Sequence, residues 1–104
     1  MTVHNKLVRD KIPEIIQAHG HTAVTRMIQG DEYYQSLLTK LVEEYEEFRE
    51  SGDLEELADI LEVVEALAIA KGASFADILQ KKEQKQQERG GFTTRVWLER
   101  VDDK

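Results

Sequence analysis

No cysteine occurs in the 104 residues, so the chain forms neither disulfides nor thiolate zinc sites, in keeping with a reducing compartment. Proline occurs once, as Pro13, so no later helix is interrupted by one. Basic residues are the scarcer charge. Against 21 Asp and Glu stand 14 Lys and Arg, a net charge of -7 that opposes binding to a nucleic acid polymer or an anionic membrane surface. Nowhere do apolar residues run for the roughly 20 positions that a membrane span requires, and Met1 to Lys11 lacks the apolar stretch of a secretion signal. A cytoplasmic protein is the expectation. The three histidines, His4, His19 and His21, form no Glu-x-x-His pair, which gives a di-iron bundle no support and leaves them as surface residues.

What is present fits one soluble domain over residues 1–104: 40% of the residues are hydrophobic and 34% charged. A chain this short buries about 65% of its unfolded surface, so an apolar face left over is naturally closed by a second copy. Glycines at 20, 30, 52, 72, 90 and 91 punctuate the sequence at helix-length intervals. From Arg9 to His19, Ile12, Ile15 and Ile16 recur at helical spacing with Pro13 in the first turn. Asp31 to Glu50 carries Leu37, Leu38, Leu41, Val42, Tyr45 and Phe48 on one stripe and predicts a long second helix. Asp53 is placed to cap a third helix from Leu54 to Lys71, and Ser74 with Asp77 forms a capping-box pattern for a fourth, Phe75 to Arg89. Thr22 to Gln29 and the terminal FTTRVWLERV alternate as strands do, and predict a small ribbon between distant segments. The fold class expected is mainly α, a helical bundle with a two-stranded β ribbon.

Carboxylates concentrate in two places, Glu43, Glu44, Glu46 and Glu47 on the second helix, and Glu55, Glu56 and Asp59 on the third. On a helical wheel Glu44 and Glu47 lie about 60° apart at the edge of the apolar stripe. Glu56 falls between Val63 and Leu67, and Asp59 borders the same arc, so packing desolvates both, and a desolvated carboxylate needs a cation. The short connection through Ser51, Gly52 and Asp53 pairs the two helices antiparallel and lets four carboxylates converge. Oxygen ligands with no cysteine and no histidine nearby suit Mg²⁺, or Mn²⁺, rather than zinc. Two plainer readings stay open: Glu56 as the third-position member of a capping box begun by Asp53, and the second-helix run as a solvated face.

The pattern Glu43-Glu44-x-x-Glu47 followed by Glu56-x-x-Asp59 resembles the EExxE…ExxD signature of MazG-like nucleotide pyrophosphohydrolases. KLVRDKIPEII at 6–16, KLVEEYEEF at 40–48, EELADILEVVEAL at 55–67 and RGGFTTRVWL at 89–98 resemble its phosphoribosyl-ATP pyrophosphohydrolase-like branch. The resemblance implies an all-α bundle that assembles as a homodimer or homotetramer and hydrolyses a small nucleotide to its monophosphate and pyrophosphate. It implies that Glu44, Glu47, Glu56 and Asp59 hold Mg²⁺ and that Glu43 has a catalytic role, orienting water or a second metal. Eight residues separate Glu47 from Glu56, a shorter interval than is usual in the superfamily.

In-line attack at a phosphoryl group needs positioning and charge neutralisation, and cations must meet the phosphates. Lys82, Lys85 and Arg89 share one face of the fourth helix, and Arg9 and Lys11 offer a second basic pair. Glu83 and Glu88 beside the first group make an ordinary salt-bridged solvent face the competing reading. Trp97 and Phe92, flanked by apolar residues, read as core rather than as a platform for a base. Besides a broad housekeeping hydrolase, a phosphoribosyl-ATP pyrophosphohydrolase of histidine synthesis and a non-enzymatic acidic interaction module remain as alternatives.

Overall fold

A computed structural model describes residues 1–103. Four helices follow one another: α1 (Ile12–Ala18), α2 (Gly30–Ser51), α3 (Leu54–Ala70) and α4 (Phe75–Arg89). Each end has a local cause. Pro13 opens α1 where its missing N–H costs nothing. At the end of α2, Gly52 takes the left-handed conformation (φ 70°) and donates its N–H to the Phe48 carbonyl at 2.8 Å. α3 closes in a Schellman motif, with Ala73 N–H on the Ala68 carbonyl and Gly72 N–H on that of Ile69, both at 2.9 Å. α4 starts with the reciprocal box that the sequence predicts: Asp77 N–H to Ser74 Oγ at 3.1 Å and Ser74 N–H to Asp77 Oδ2 at 2.9 Å.

The Asp53 expectation is corrected. Asp53 occupies the N-cap position of α3 in extended conformation, but its side chain accepts no capping bond. Its own N–H is taken by Ser51 Oγ at 3.1 Å, and the Glu56 N–H goes to the Asp53 backbone carbonyl at 3.1 Å instead of to its side chain. Glu56 therefore forms no capping box with it.

α2 packs along α3 as the two-residue link dictates, and α3 packs on the start of α4, while α1 packs against none of the other three. Lys71 lies over the Tyr34 ring at 4.7 Å, which ties the end of α3 to the beginning of α2. The apolar interior is thin: Leu37, Val63 and Ala68 are its only buried members among the described residues. The radius of gyration is 18.6 Å, where a compact chain of this length has about 13 Å.

The β ribbon is not formed; among the described residues there is no strand. Residues 22–29 run without regular structure, and 92–101 hold only a turn closed by Arg95 N–H on the Phe92 carbonyl at 3.2 Å. Alternating side chains specify an extended backbone but not its partner, and a lone two-stranded ribbon is at best marginal in water. Phe92 and Trp97 are correspondingly corrected: they are 98% and 85% exposed, not core. The three histidines lie on the surface, as expected. No helix of the described residues is long and apolar enough to cross a membrane.

Candidate metal centre

With only Gly52 and Asp53 between the helices, α2 and α3 are held in one register. At about 1.5 Å of rise per residue, Glu47 and Glu56 lie near the link and Glu44 and Asp59 one turn further from it. Carboxylate oxygens of Glu44, Glu56 and Asp59 all lie within 4.8 Å of one another. Glu44 is buried to 5% exposure, Glu56 and Asp59 are half-buried, and Glu47 is exposed at the rim.

Burial pushes the Glu44 carboxyl above the usual carboxylate range, with Glu47 and Asp59 adding to the rise and Lys40 opposing it. Glu56 is pushed up in the same direction, by desolvation first and then by Glu47, Asp59 and Glu44. Such crowding is costly unless something positive enters. Part of it is internal. Lys40 Nζ lies 3.3 Å from Glu44 Oε1 and 3.7 Å from Glu43 Oε2, and Lys6 Nζ lies 3.8 Å from Glu43 Oε1. Arg9, from the segment before α1, donates through Nη2 to Asp59 Oδ1. The other Glu44 oxygen, Oε2, is buried and has no hydrogen-bond partner. An unmade bond at a buried charged oxygen costs of the order of 1–3 kcal/mol, which a cation at that point recovers.

Of the predicted ligands, the structure brings Glu44, Glu56 and Asp59 into one cluster, with Glu47 close enough to perturb two of them. Glu43 stands beside the cluster with Lys6 and Lys40. Arg9 and Lys11 line a cleft of about 540 Å³ with Glu44 and Asp59 at one side, and Leu7, Val8, Tyr33, Leu37, Val63 and Ile69 supply its apolar wall. Lys82, Lys85 and Arg89 are exposed on α4 and do not line that cleft. Sequence reasoning missed Lys40, although its i, i+4 spacing to Glu44 is a legible signal. It also missed Lys6 and Tyr33, for which position along the chain offers no clue.

Comparison with known proteins adds little. No family model matches the chain. A curated protein of Mycolicibacterium smegmatis, named only as uncharacterized, is 52% identical over 42 residues, 40% of this chain and 43% of that protein's own length. No solved structure matches.

Proposed function

We propose that this chain is a divalent-metal-dependent nucleotide pyrophosphohydrolase of the MazG-like kind, acting on a nucleoside triphosphate or related nucleotide. The observation that carries this reading is Glu44: buried, with Oε2 unpartnered, and set against Glu56 and Asp59 in a cluster of hard oxygen donors. The residues fit such an ion. Glu44, Glu56 and Asp59 would hold it, with Glu47 at the rim, and Mg²⁺, or Mn²⁺, is the ion their chemistry favours. When bound it supplies charge neutralisation and an activated water for cleavage between the α- and β-phosphoryl groups.

The chain's own residues do the rest. The apolar wall with Tyr33 takes the flat base and excludes water from it. Arg9 and Lys11, on the same cleft, take phosphate oxygens, and Arg9 leaves Asp59 to do so. Glu43 acts through Lys40, whose ammonium it shares with Glu44, and so positions the deepest carboxylate. Lys82, Lys85 and Arg89, on α4, lie outside that cleft.

The test is pyrophosphate release from ribo-, deoxyribo- and modified nucleoside triphosphates and from phosphoribosyl-ATP, with Mg²⁺, Mn²⁺ or EDTA. Metal-dependent turnover is expected, abolished in Glu56→Ala and Asp59→Ala at unchanged helical content. Silence across the panel from folded protein overturns the reading and favours the non-enzymatic acidic interaction module.

A further inference from the structure

The cleft beside the acidic cluster continues well past it. Its volume of about 540 Å³ falls within the roughly 300–1,000 Å³ usual for small-ligand sites. Because α2 and α3 run antiparallel from their two-residue link, the cleft leads away from that link past Lys40, Leu37 and Tyr33 on one side and Glu62, Glu65 and Ile69 on the other. At about 1.5 Å of rise per residue, the first three lie about 6, about 10 and about 16 Å beyond Glu44. The second three lie about 4.5, about 9 and about 15 Å beyond Asp59. One end therefore holds the buried Glu44 with its unpartnered Oε2, an atom that itself calls for a ligand, and the other is bounded by Tyr33 and Ile69. Between them stand two further carboxylates.

Glu62 and Glu65 take no part in the metal cluster. Asp59 is paired with Arg9, and Glu43 and Glu44 with Lys40, whereas Glu62 and Glu65 have neither an ion pair nor a side-chain hydrogen bond among the described residues. Glu62 is exposed, one turn from Asp59, and Glu65 is half-buried, nearly two turns from it. An ionised carboxylate offers acceptors only, and covering it without supplying a donor is costly. Such a wall sorts the groups of an entering nucleotide. Phosphate oxygens are repelled towards Arg9 and the far end, carbonyl oxygens meet acceptor against acceptor, and N–H donors are taken up. Glu65 lies beside the Val63 and Leu37 wall that receives the base, so the base edge is what it meets.

We propose that the cleft selects nucleotides whose base carries an exocyclic amino group, and that Glu65 is the specificity-determining residue that accepts from it. Cytosine, adenine and guanine offer such a donor, and a carboxylate is the natural partner of the cytosine amino group. Uracil and thymine present a carbonyl oxygen where cytosine has its amino group, and hypoxanthine lacks the amino group of guanine. A hydrogen bond to a charged acceptor separates the two kinds by about ten- to a hundredfold. The inference rests on the hydrolase reading for the kind of ligand and adds the class of base to it.

The test compares CTP with UTP and GTP with ITP, as kcat/KM for pyrophosphate release in Mg²⁺, and the α,β-methylene analogues of CTP and UTP as Kd by titration calorimetry. Wild type is expected to favour the amino-bearing member of each pair by at least about tenfold. Glu65→Gln keeps the side-chain length and adds a donor, so its amide meets an amino group or a carbonyl equally well, and the ratios are expected to fall to within about twofold of one. The Mg²⁺-induced rise in Tm is expected to survive in this variant, because Glu65 is not among the clustered oxygens. Turnover with ratios near one in wild type, or with ratios that Glu65→Gln leaves unchanged, overturns the inference and leaves the hydrolase reading standing. No turnover, but selective analogue binding that Glu65→Gln abolishes, overturns the hydrolase reading and keeps the inference. Neither turnover nor analogue binding overturns both.

Discussion

Replacing Glu44 by Gln separates a metal ligand from an ordinary buried side chain. The amide keeps the shape of the carboxylate but removes a charge that is 5% exposed, sits among Glu47, Glu56 and Asp59, and leaves Oε2 without a partner. Without metal, Lys40 exchanges an ionic partner at 3.3 Å for a neutral amide oxygen and keeps Glu43 at 3.7 Å, whereas the carboxylate crowding is relieved. The variant is therefore neutral or more stable by about 1 kcal/mol, since a buried orphan of this kind costs of the order of 1–3 kcal/mol. With metal the order reverses. A ligand at a hundred times its dissociation constant stabilises by about 2.7 kcal/mol, which for a domain of this length is a rise in Tm of roughly 10–20 °C. Wild type gains that rise and Glu44→Gln loses most of it. Circular dichroism melts in EDTA and in Mg²⁺ or Mn²⁺ at fixed ionic strength measure both halves. Equal metal-induced rises in the two proteins refute the reasoning, and so does a loss above about 2 kcal/mol for Glu44→Gln in EDTA, which would make the Lys40 pair a net stabiliser.

Arg9→Gln frees Asp59 from a competing cation across a half-exposed pair, so the Mg²⁺ concentration for half-maximal stabilisation falls about two- to fivefold, measured by the same melts, while KM for a triphosphate rises. Ser74→Ala removes the hydroxyl that caps α4 and costs about 1 kcal/mol in urea titrations. Asp77 in the same box is held below its ordinary value, chiefly by the Ser74 backbone N–H. Because that folded-state value is the lower one, its contribution is present above the unfolded value and lost as pH falls through the folded one. The stability gap between wild type and Asp77→Asn is therefore expected to close below about pH 4 in pH-dependent melts.

The helices are legible in the sequence because their causes are local. Gly52, Gly72 and the Ser74–Asp77 box each act within a turn of chain, and α2 to α4 begin and end within a residue of where those signals put them. The wheel also ranks the carboxylates usefully: Glu56 and Asp59, set on the apolar arc of α3, are half-buried. It does not foresee that Glu44 is the buried one and Glu47 the rim, since that depends on which flank of α2 meets α3. The ribbon fails for a different reason. Val24, Met27, Val96 and Leu98 alternate as strand residues do, and nothing local to them specifies a pairing partner; all four are exposed and no strand forms. Asp53 fails as a side-chain cap because the Glu56 N–H goes to its backbone carbonyl at 3.1 Å, while Ser51 Oγ takes the Asp53 N–H that a capping box would give to Glu56.

All four carboxylates lie within one continuous stretch, from Glu44 to Asp59, on two helices joined by two residues, and Lys40 is one turn before it. Arg9 alone among their partners comes from far away, 50 positions from Asp59. A helical hairpin closes early because its contacts are short-range, and a segment that distant arrives later. The acidic centre is thus expected to assemble in an order: the α2–α3 carboxylates and Lys40 first, the Arg9 guanidinium last. If the proposed function holds, a divalent ion would meet these oxygens before the segment that carries Arg9 closes over them.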